Sequence, residues 1–350
     1  MKRRAGAGGV TLEQVASVAR VSRATASRVV NGDQRVGIDS RAAVEAVVRE
    51  LGYVPNRAAR SLVTNRSDSV AVVIPEPTAQ VFGDPFFPRI LRGISEAIAK
   101  ESMQLVLLMP QARMDEERVE RYLAGGHADG VLLVSLHGSD PLPESLRRRG
   151  VPLVVGGRPQ GSGSSYVDVD NRTGASVAVQ HLLDGGRRRI ATIAGPLDMA
   201  AGADRLAGYR DRMRAGGRSA DDAVEIADFT LDGGSVAMER LLSRVPTIDA
   251  VFVASDLMAV GALATLRAAG RTTPGDVAVV GFDDSPLAST TNPQLSSVRQ
   301  PIEEMGREMT RLLMQEIRTP GGAPRRVILE TQLVVRESST AVDGGGATGS

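Results

Sequence analysis

From residue 69 onward the chain alternates two hydrophobic periods, and that alternation limits what it can fold into. Short β-branched runs recur at 70–74, 105–109, 131–134, 153–155, 190–194, 251–254 and 277–282. Each is apolar on both faces, as a strand covered by helices on both sides must be. Helical stretches lie between them at 89–100, 115–124, 174–183, 235–243 and 258–269. Strand and helix in alternation predict doubly wound α/β units with mostly parallel sheets. Two such sets, on either side of about residue 165, predict two lobes with a ligand cleft at the carboxyl ends of their strands.

Residues 10–62 follow a different plan, a set of short helices. Thr11-Leu12-Glu13-Gln14 fits a capping box with Thr11 as N-cap, followed by the apolar stripe Val15, Val18 and Ala19. Arg20-Val21-Ser22 reads as a tight turn, and Ser22 as the N-cap of a second helix over 23–30 that ends at Asn31-Gly32. A third helix over 40–51 places Val44, Val47, Val48 and Leu51 on one face, with Gly52 just past its end. A fourth, over 57–62, follows Pro55-Asn56 and leads into the linker Thr64-Asn65-Arg66-Ser67. The predicted architecture is an N-terminal all-α helix-turn-helix domain joined to a two-lobed α/β core with doubly wound parallel sheets, like a periplasmic binding protein. The predicted divisions are 10–55 for the head, 56–67 for the fourth helix and linker, which the resemblance given below makes a hinge helix, and 68–340 for the core. Within the core, lobe 1 covers about 68–165 plus 299–326, and lobe 2 about 166–298 plus 327–340.

Charge separates the same two regions. Residues 1–66 carry 12 Lys/Arg against 5 Asp/Glu, while the remainder carries 30 against 36. A basic head on an acidic body points to an anionic partner for the head alone. Two helices across a tight turn can read a major groove or can simply form a small three-helix domain with surface arginines. Ser22, Thr25 and Ser27 carry short hydroxyls suited to phosphate oxygens, and the helix N-terminus adds backbone donors. Arg23 and Arg28 are spaced to reach a groove, where Arg bridges guanine N7 and O6, and Ala24 admits close approach or a thymine methyl.

The stretches Val10-Thr11-Leu12-Glu13-Gln14-Val15-Ala16, Val21 to Gly32 and Leu51 to Leu62 resemble the lactose-repressor/galactose-repressor (LacI/GalR) family, and the similarity extends over residues 10–337. The family usually carries Val where this chain has Ala26. The resemblance implies a transcriptional regulator that binds a palindromic operator in double-stranded DNA as a homodimer. It implies that Arg23 and Ala24 sit at specificity positions, that Arg28 contacts a base, and that Asn56 to Leu62 is a hinge helix in the minor groove. Leu62 would wedge into the central base step. The implied DNA-contacting set is Thr11, Ser22, Arg23, Ala24, Thr25, Ser27, Arg28, Asn31, Asn56, Arg57, Ala59 and Leu62. A helix as short as the hinge is unstable alone in water and would order only against DNA and its twin.

In the core, Asp84-Pro85-Phe86-Phe87 resembles the family's Asn-Pro-Phe-Phe segment with Asp in place of Asn. Gly195-Pro196-Leu197 with Asp204 to Tyr209 resembles the segment whose Arg grips ligand. Ala254 to Ala262 and Gly281-Phe282-Asp283-Asp284 resemble strand ends whose Asp faces the cleft. The implied effector contacts are Arg205, Asp256, Asp283 and Phe229, with Phe82 or Phe87 as the opposing ring. Carboxylates that accept hydroxyl donors, a bidentate Arg and stacking rings suit a sugar. Alternatives stay open: Asp256 as a helix cap, Phe86 and Phe87 as core or interface residues, Tyr209 as helix packing. Asp168 is expected at the sheet interior or interlobe seam, with Asp170 and Asn171 as weaker cleft candidates.

The effector is therefore expected to be a mono- or oligosaccharide, with no cofactor and no metal. It would release a repressor of carbohydrate genes; the alternative is a purine-type corepressor. The core's texture is similar to actinobacterial regulators of oligosaccharide use, which points to cellobiose- or maltose-type inducers. A transport protein of the same two-lobed fold is disfavoured by the head, and by Ala5-Gly6-Ala7-Gly8-Gly9 where a signal peptide would be apolar. A cytoplasmic location is the expectation. No apolar run is long enough for a membrane span. An enzyme is not expected: the chain has no Cys and only 3 His, no phosphate loop and no nucleophile elbow. Asp283-Asp284 are adjacent on a strand end and cannot act as a glycosidase pair. The tail at 341–350 lacks leucine heptads, so a dimer is expected rather than a tetramer, with its face on the first lobe including the helix at 89–100.

Overall fold

The structure is a computed structural model that describes residues 10–33, 35–54, 66–111, 113–138, 140–161, 163–219 and 221–340. The hinge at Asn56, Arg57, Ala59 and Leu62, most of the linker and the tail at 341–350 lie outside the described residues. The chain divides into two compact units, Met1–Ser67 and Asp68–Ser350.

The head holds three helices, α1 Leu12–Val18, α2 Arg23–Val30 and α3 Ile38–Leu51. The capping box forms: Thr11 Oγ1 accepts from the Gln14 amide at 3.3 Å, and Gln14 Oε1 accepts from the Thr11 amide at 2.8 Å. Arg20 turns the chain at φ 54°, a left-handed conformation, and Gly52 ends α3 at φ 62°. Val15, Ala16, Ala26, Val29, Val44 and Val47 are buried together where the three helices meet. Ala26 is fully buried.

The second unit contains two six-stranded sheets. The first has the order β11 Arg326–Leu329, β5 Ser165–Val169, β4 Leu153–Gly156, β3 Gly130–Val134, β1 Ser69–Val73, β2 Gln104–Leu108, all parallel. The second has the order β12 Gln332–Val334, β10 Ser296–Arg299, β9 Ala278–Asp283, β8 Ala250–Val253, β6 Ile190–Ala194, β7 Val224–Ile226, parallel except for β12. The first lobe adds the helices α4 Thr78–Gly83, α5 Phe86–Lys100, α6 Arg113–Ala124 and α7 Leu142–Arg148. The second adds α8 Asn171–Asp184, α9 Ala200–Ala215, α10 Leu231–Arg244 and α11 Asp256–Ala268. A last helix, α12 Ile302–Arg318, returns to the first lobe and buries Ile302, Met305, Met309, Leu312 and Leu313 in its core.

The lobe boundaries differ from the predicted ones. Strand β5 and strand β11 pair with each other in the first sheet, so the chain crosses near 170 and 330 rather than at 165 and 326. The register Val167↔Val327 carries both segments past the expected boundaries before they turn. Close helix contact fixes how α12 lies on α5. A Cβ on Gly93 would stand 2.1 Å from the Glu303 carbonyl oxygen, and one on Gly306 would stand 2.5 Å from that of Ile90.

Candidate DNA-reading face and effector cleft

On the head, Ser22 caps α2 by accepting from the Thr25 amide at 3.0 Å, and its hydroxyl meets that of Thr25 at 2.8 Å. With Val29 and Ala26 turned inward, Ser22, Arg23, Ala24, Arg28 and Asn31 are exposed. Thr11 is exposed too, at the start of α1; Thr25 and Ser27 are half-buried. Asn31 Nδ2 donates to Ser27 Oγ at 3.3 Å. Arg23 is not idle: its Nε donates to Glu13 Oε1 at 2.6 Å, with both side chains well exposed. The α2 surface therefore carries hydroxyls, one small residue and two guanidinium groups, one of them held by a pair that water screens. Its N-terminal end is the part that a major groove would receive.

In the second unit, the strand ends of both sheets converge on a cleft, and Arg205 of α9 is its centre. The side chain is buried. Its Nε donates to Asn171 Oδ1 at 2.9 Å and its Nη1 to the Ala254 carbonyl at 2.6 Å, while Asp283 Oδ1 lies 3.6 Å from Nη1. The guanidinium carbon stacks 3.7 Å from the Phe282 ring centre and lies 5.9 Å from that of Phe229. Asn171 is itself oriented by donating to Asp168 Oδ1 at 3.0 Å, and Asp168 Oδ2 accepts from the Arg158 amide at 3.1 Å. Asp283 accepts from Gln300 Nε2 at 2.5 Å. Burial pushes the carboxyls of Asp84, Asp168 and Asp283 up, Asp84 to about 6, and pushes the Arg205 guanidinium down.

Two adjoining chambers open from this centre. One, about 450 Å³ counting space open to solvent, is lined by Gln80, Asp84, Phe86, Phe87, Phe229, Ser255 and Asp283. The other, about 760 Å³ counted the same way, is lined by Asp140, Gly157, Arg158, Gln160, Asp168, Asn171 and Asp198. Phe86, Ser135, Met199, Ala201, Arg205 and Gln300 line both. Phe229 lies over the Gly195 backbone, where a Cβ would stand 2.1 Å from the ring.

The structure thus brings Arg205, Asp283, Phe229 and Phe87 to one cavity. It does not bring the other two expected contacts there. Asp256 lines neither chamber. Ser255 rather than Asp256 caps α11, and the Asp256 carboxylate is drawn under β9 and β10. There its Oδ2 accepts from the Ser285 amide and its Oδ1 from Ser297 Oγ, each at 2.6 Å. The missing side chain of Gly281 makes room, since a Cβ there would stand 2.5 Å from Asp256 Oδ1. Phe82 is 68% exposed on α4 and lines neither chamber, whereas Phe86 lines both. Asn171 is more central than expected, Asp170 caps α8, and Tyr209 packs inside, its hydroxyl donating to the Ile190 carbonyl at 2.8 Å. Asp284 turns from the cleft to Arg299 and Arg336, each at 2.6 Å. Among the described residues no His/Cys/Asp/Glu group is arranged to hold a metal, and no helix is long and apolar enough to cross a membrane.

Comparison with known proteins gives this geometry a context. Residues 11–56 match the profile of bacterial regulatory proteins of the lacI family, and residues 179–339 that of a periplasmic binding protein-like domain. The chain is 52% identical to the HTH-type transcriptional regulator CelR of Thermobifida fusca, over 94% of this chain and 98% of that one. It resembles the solved complex of the regulator CelR with cellobiose, at 50% identity and a TM-score of 0.76, over 94% of this chain and 99% of that one. It also resembles the lac repressor dimer bound to operator and an anti-inducer, at 25% identity and a TM-score of 0.85, over 95% of this chain and 100% of that one.

Proposed function

This chain belongs to the lacI family of bacterial regulatory proteins, and on that footing we propose that it represses carbohydrate-use genes until a disaccharide of the cellobiose class fills its cleft. It is a DNA-binding transcriptional regulator that acts as a dimer and answers to a sugar. Arg23, Ala24 and Arg28 on α2 are its base readers, and Ser22, Thr25 and Ser27 its phosphate contacts. Arg205, Asp283 and Phe229 hold the effector. The protein works in the cytoplasm and catalyses no reaction.

One observation carries the choice of effector. The site consists of two chambers that share Arg205 and Phe86, and this suits one sugar ring in each. Their walls supply carboxylates that accept hydroxyl protons, an Arg that donates, and rings for the apolar faces of the sugars. Three buried carboxylates against a single buried Arg disfavour a phosphorylated ligand.

The test is fluorescence anisotropy of the full chain on a palindromic duplex with a central CG step. The control duplex carries two extra base pairs at its centre. Tight binding to the intact palindrome alone, lost on addition of cellobiose, is the expected outcome. Equal, salt-sensitive binding to both duplexes would reduce the head to phosphate attraction and end the operator reading.

A further inference from the structure

At the mouth of the cleft stands a group that the effector contacts leave unused. His137, in the loop after β3, lies between two carboxylates from opposite lobes. Its Nε2 is 3.0 Å from Oε1 of Glu76, on the loop after β1. Its Nδ1 is 3.0 Å from Oδ2 of Asp198, on the second lobe's loop before α9. A neutral imidazole has one N–H and can donate to one carboxylate only; the other nitrogen would turn a lone pair toward the second. Only the imidazolium satisfies both sides.

The surroundings favour that form. Ser135 Oγ donates to Glu76 Oε1 at 2.6 Å and fixes the first-lobe side. On the second-lobe side the Asp198 carbonyl accepts from the Gly138 amide at 2.9 Å and from Gln160 Nε2 at 3.2 Å. Asp140 of the same loop and Arg158 of the loop after β4 line the chamber too, and Arg158 is held across the lobes by Asp204 at 2.7 Å. The hydrogen bond to Glu76, with that to Asp198 added, holds the His137 pKa up at about 9.

We propose that the His137 imidazolium is an interlobe latch, tying Glu76 of the first lobe to Asp198 of the second, so that closing the cleft on an effector takes up a proton. This rests on the reading of the cleft as the effector site. The sign follows from the geometry. The cleft as it stands gives the ring two acceptors, and parting the lobes would leave it one, so an effector that holds the lobes together raises the affinity for the proton. Effector binding is then strongest at neutral pH and weakens as the pH rises through the His137 value.

The experiment is nuclear magnetic resonance titration of the histidine side chains in the full chain. There are three, His127, His137 and His181, and His137→Gln assigns the one in question. His137 is expected to titrate well above the ordinary 6.5, and to fall toward that value in Asp198→Asn. In calorimetry the Kd for cellobiose should rise about 3–10-fold from pH 7 to 9.5 in the natural protein and stay level in His137→Gln, the range being held low because the ring is partly exposed. Titration of His137 at the ordinary value, or a value that Asp198→Asn does not move, overturns the latch. So does an unchanged pH profile of cellobiose binding in His137→Gln. If cellobiose binds to none of these proteins while Asp198→Asn still moves the His137 titration, the latch stands and the disaccharide reading falls.

Discussion

The head and the cleft each carry an arginine that we propose as a charged reader, and they hold it in opposite ways. Arg23 lies on an open surface, its side chain 70% exposed, with Glu13 as a partner that water screens. Arg205 is 5% exposed and is fixed on several sides by Asn171, the Ala254 carbonyl, Asp283 and the Phe282 ring. A reader that must give up one partner for a phosphate or a base has to be cheap to detach. A reader that must meet hydroxyls in one orientation has to be fixed before they arrive, and its charge has to be matched inside the protein when they are absent. The first arrangement makes for exchange and the second for selectivity.

The largest test of that contrast is Arg205→Met, which keeps much of the side-chain volume and removes the charge. It leaves the Asp283 carboxylate and Asn171 Oδ1 without their cationic partner in a buried site, at an expected cost of about 3 kcal/mol or more to the second unit in urea unfolding. Cellobiose should no longer release operator DNA, while operator affinity itself holds. A loss below about 1 kcal/mol would mean that the network is no more fixed than the surface pair.

Next in size is Asp84→Asn. Burial pushes the Asp84 carboxyl up to about 6, and the amide of Phe86 donates to it at 2.9 Å, a bond that Asn can keep. Above pH 6 the folded protein holds a buried charge, so Asn should stabilise it there, by about 1–3 kcal/mol at pH 7.5. As the pH falls through 6 toward the ordinary 3.8, the natural carboxyl takes up its proton in the folded state and the advantage should vanish. Urea unfolding at pH 7.5 and 4.5 decides it, and an equal effect at both would detach the gain from ionisation.

How far these sites can be read from the chain depends on whether the reason is local. The capping box at Thr11, the Ser22 cap and the Gly52 stop are local, and they form as the residues dictate. The seven apolar strand runs are legible: six are buried on both faces, and the seventh, in the edge strand β2, is half-buried but apolar throughout. Strands β5, β10 and β11 are not, since Ser165-Tyr166-Val167-Asp168-Val169 and Ser296-Ser297-Val298-Arg299 carry polar residues that only their neighbours explain. Helix α12 holds an apolar stripe in plain sight, but follows the last strand–helix repeat and escapes a reading built on alternation. In the site, Arg205 and Asp283 stand at positions that motif and strand end mark out. Asp256 does too, yet the space over Gly281 and the donors Ser285 and Ser297 turn it away, and these are tertiary facts. Phe82 and Phe86 differ only in which side of the α4–α5 break they occupy.

The smallest expected effect lies at the other end of the contrast. Glu13→Gln removes the charge that Arg23 holds on the free head and leaves in place the reciprocal hydrogen bonds of Thr11 and Gln14. Both partners face water, so the unfolding midpoint should not move. In operator binding the loss of a competing carboxylate frees Arg23 for DNA, so affinity should hold or tighten slightly, and more at low salt than at high. Anisotropy of Glu13→Gln at two salt concentrations measures this. A clear drop in either stability or operator affinity would show that the pair positions Arg23 as firmly as Asn171 positions Arg205, and the two readers would then work by one principle.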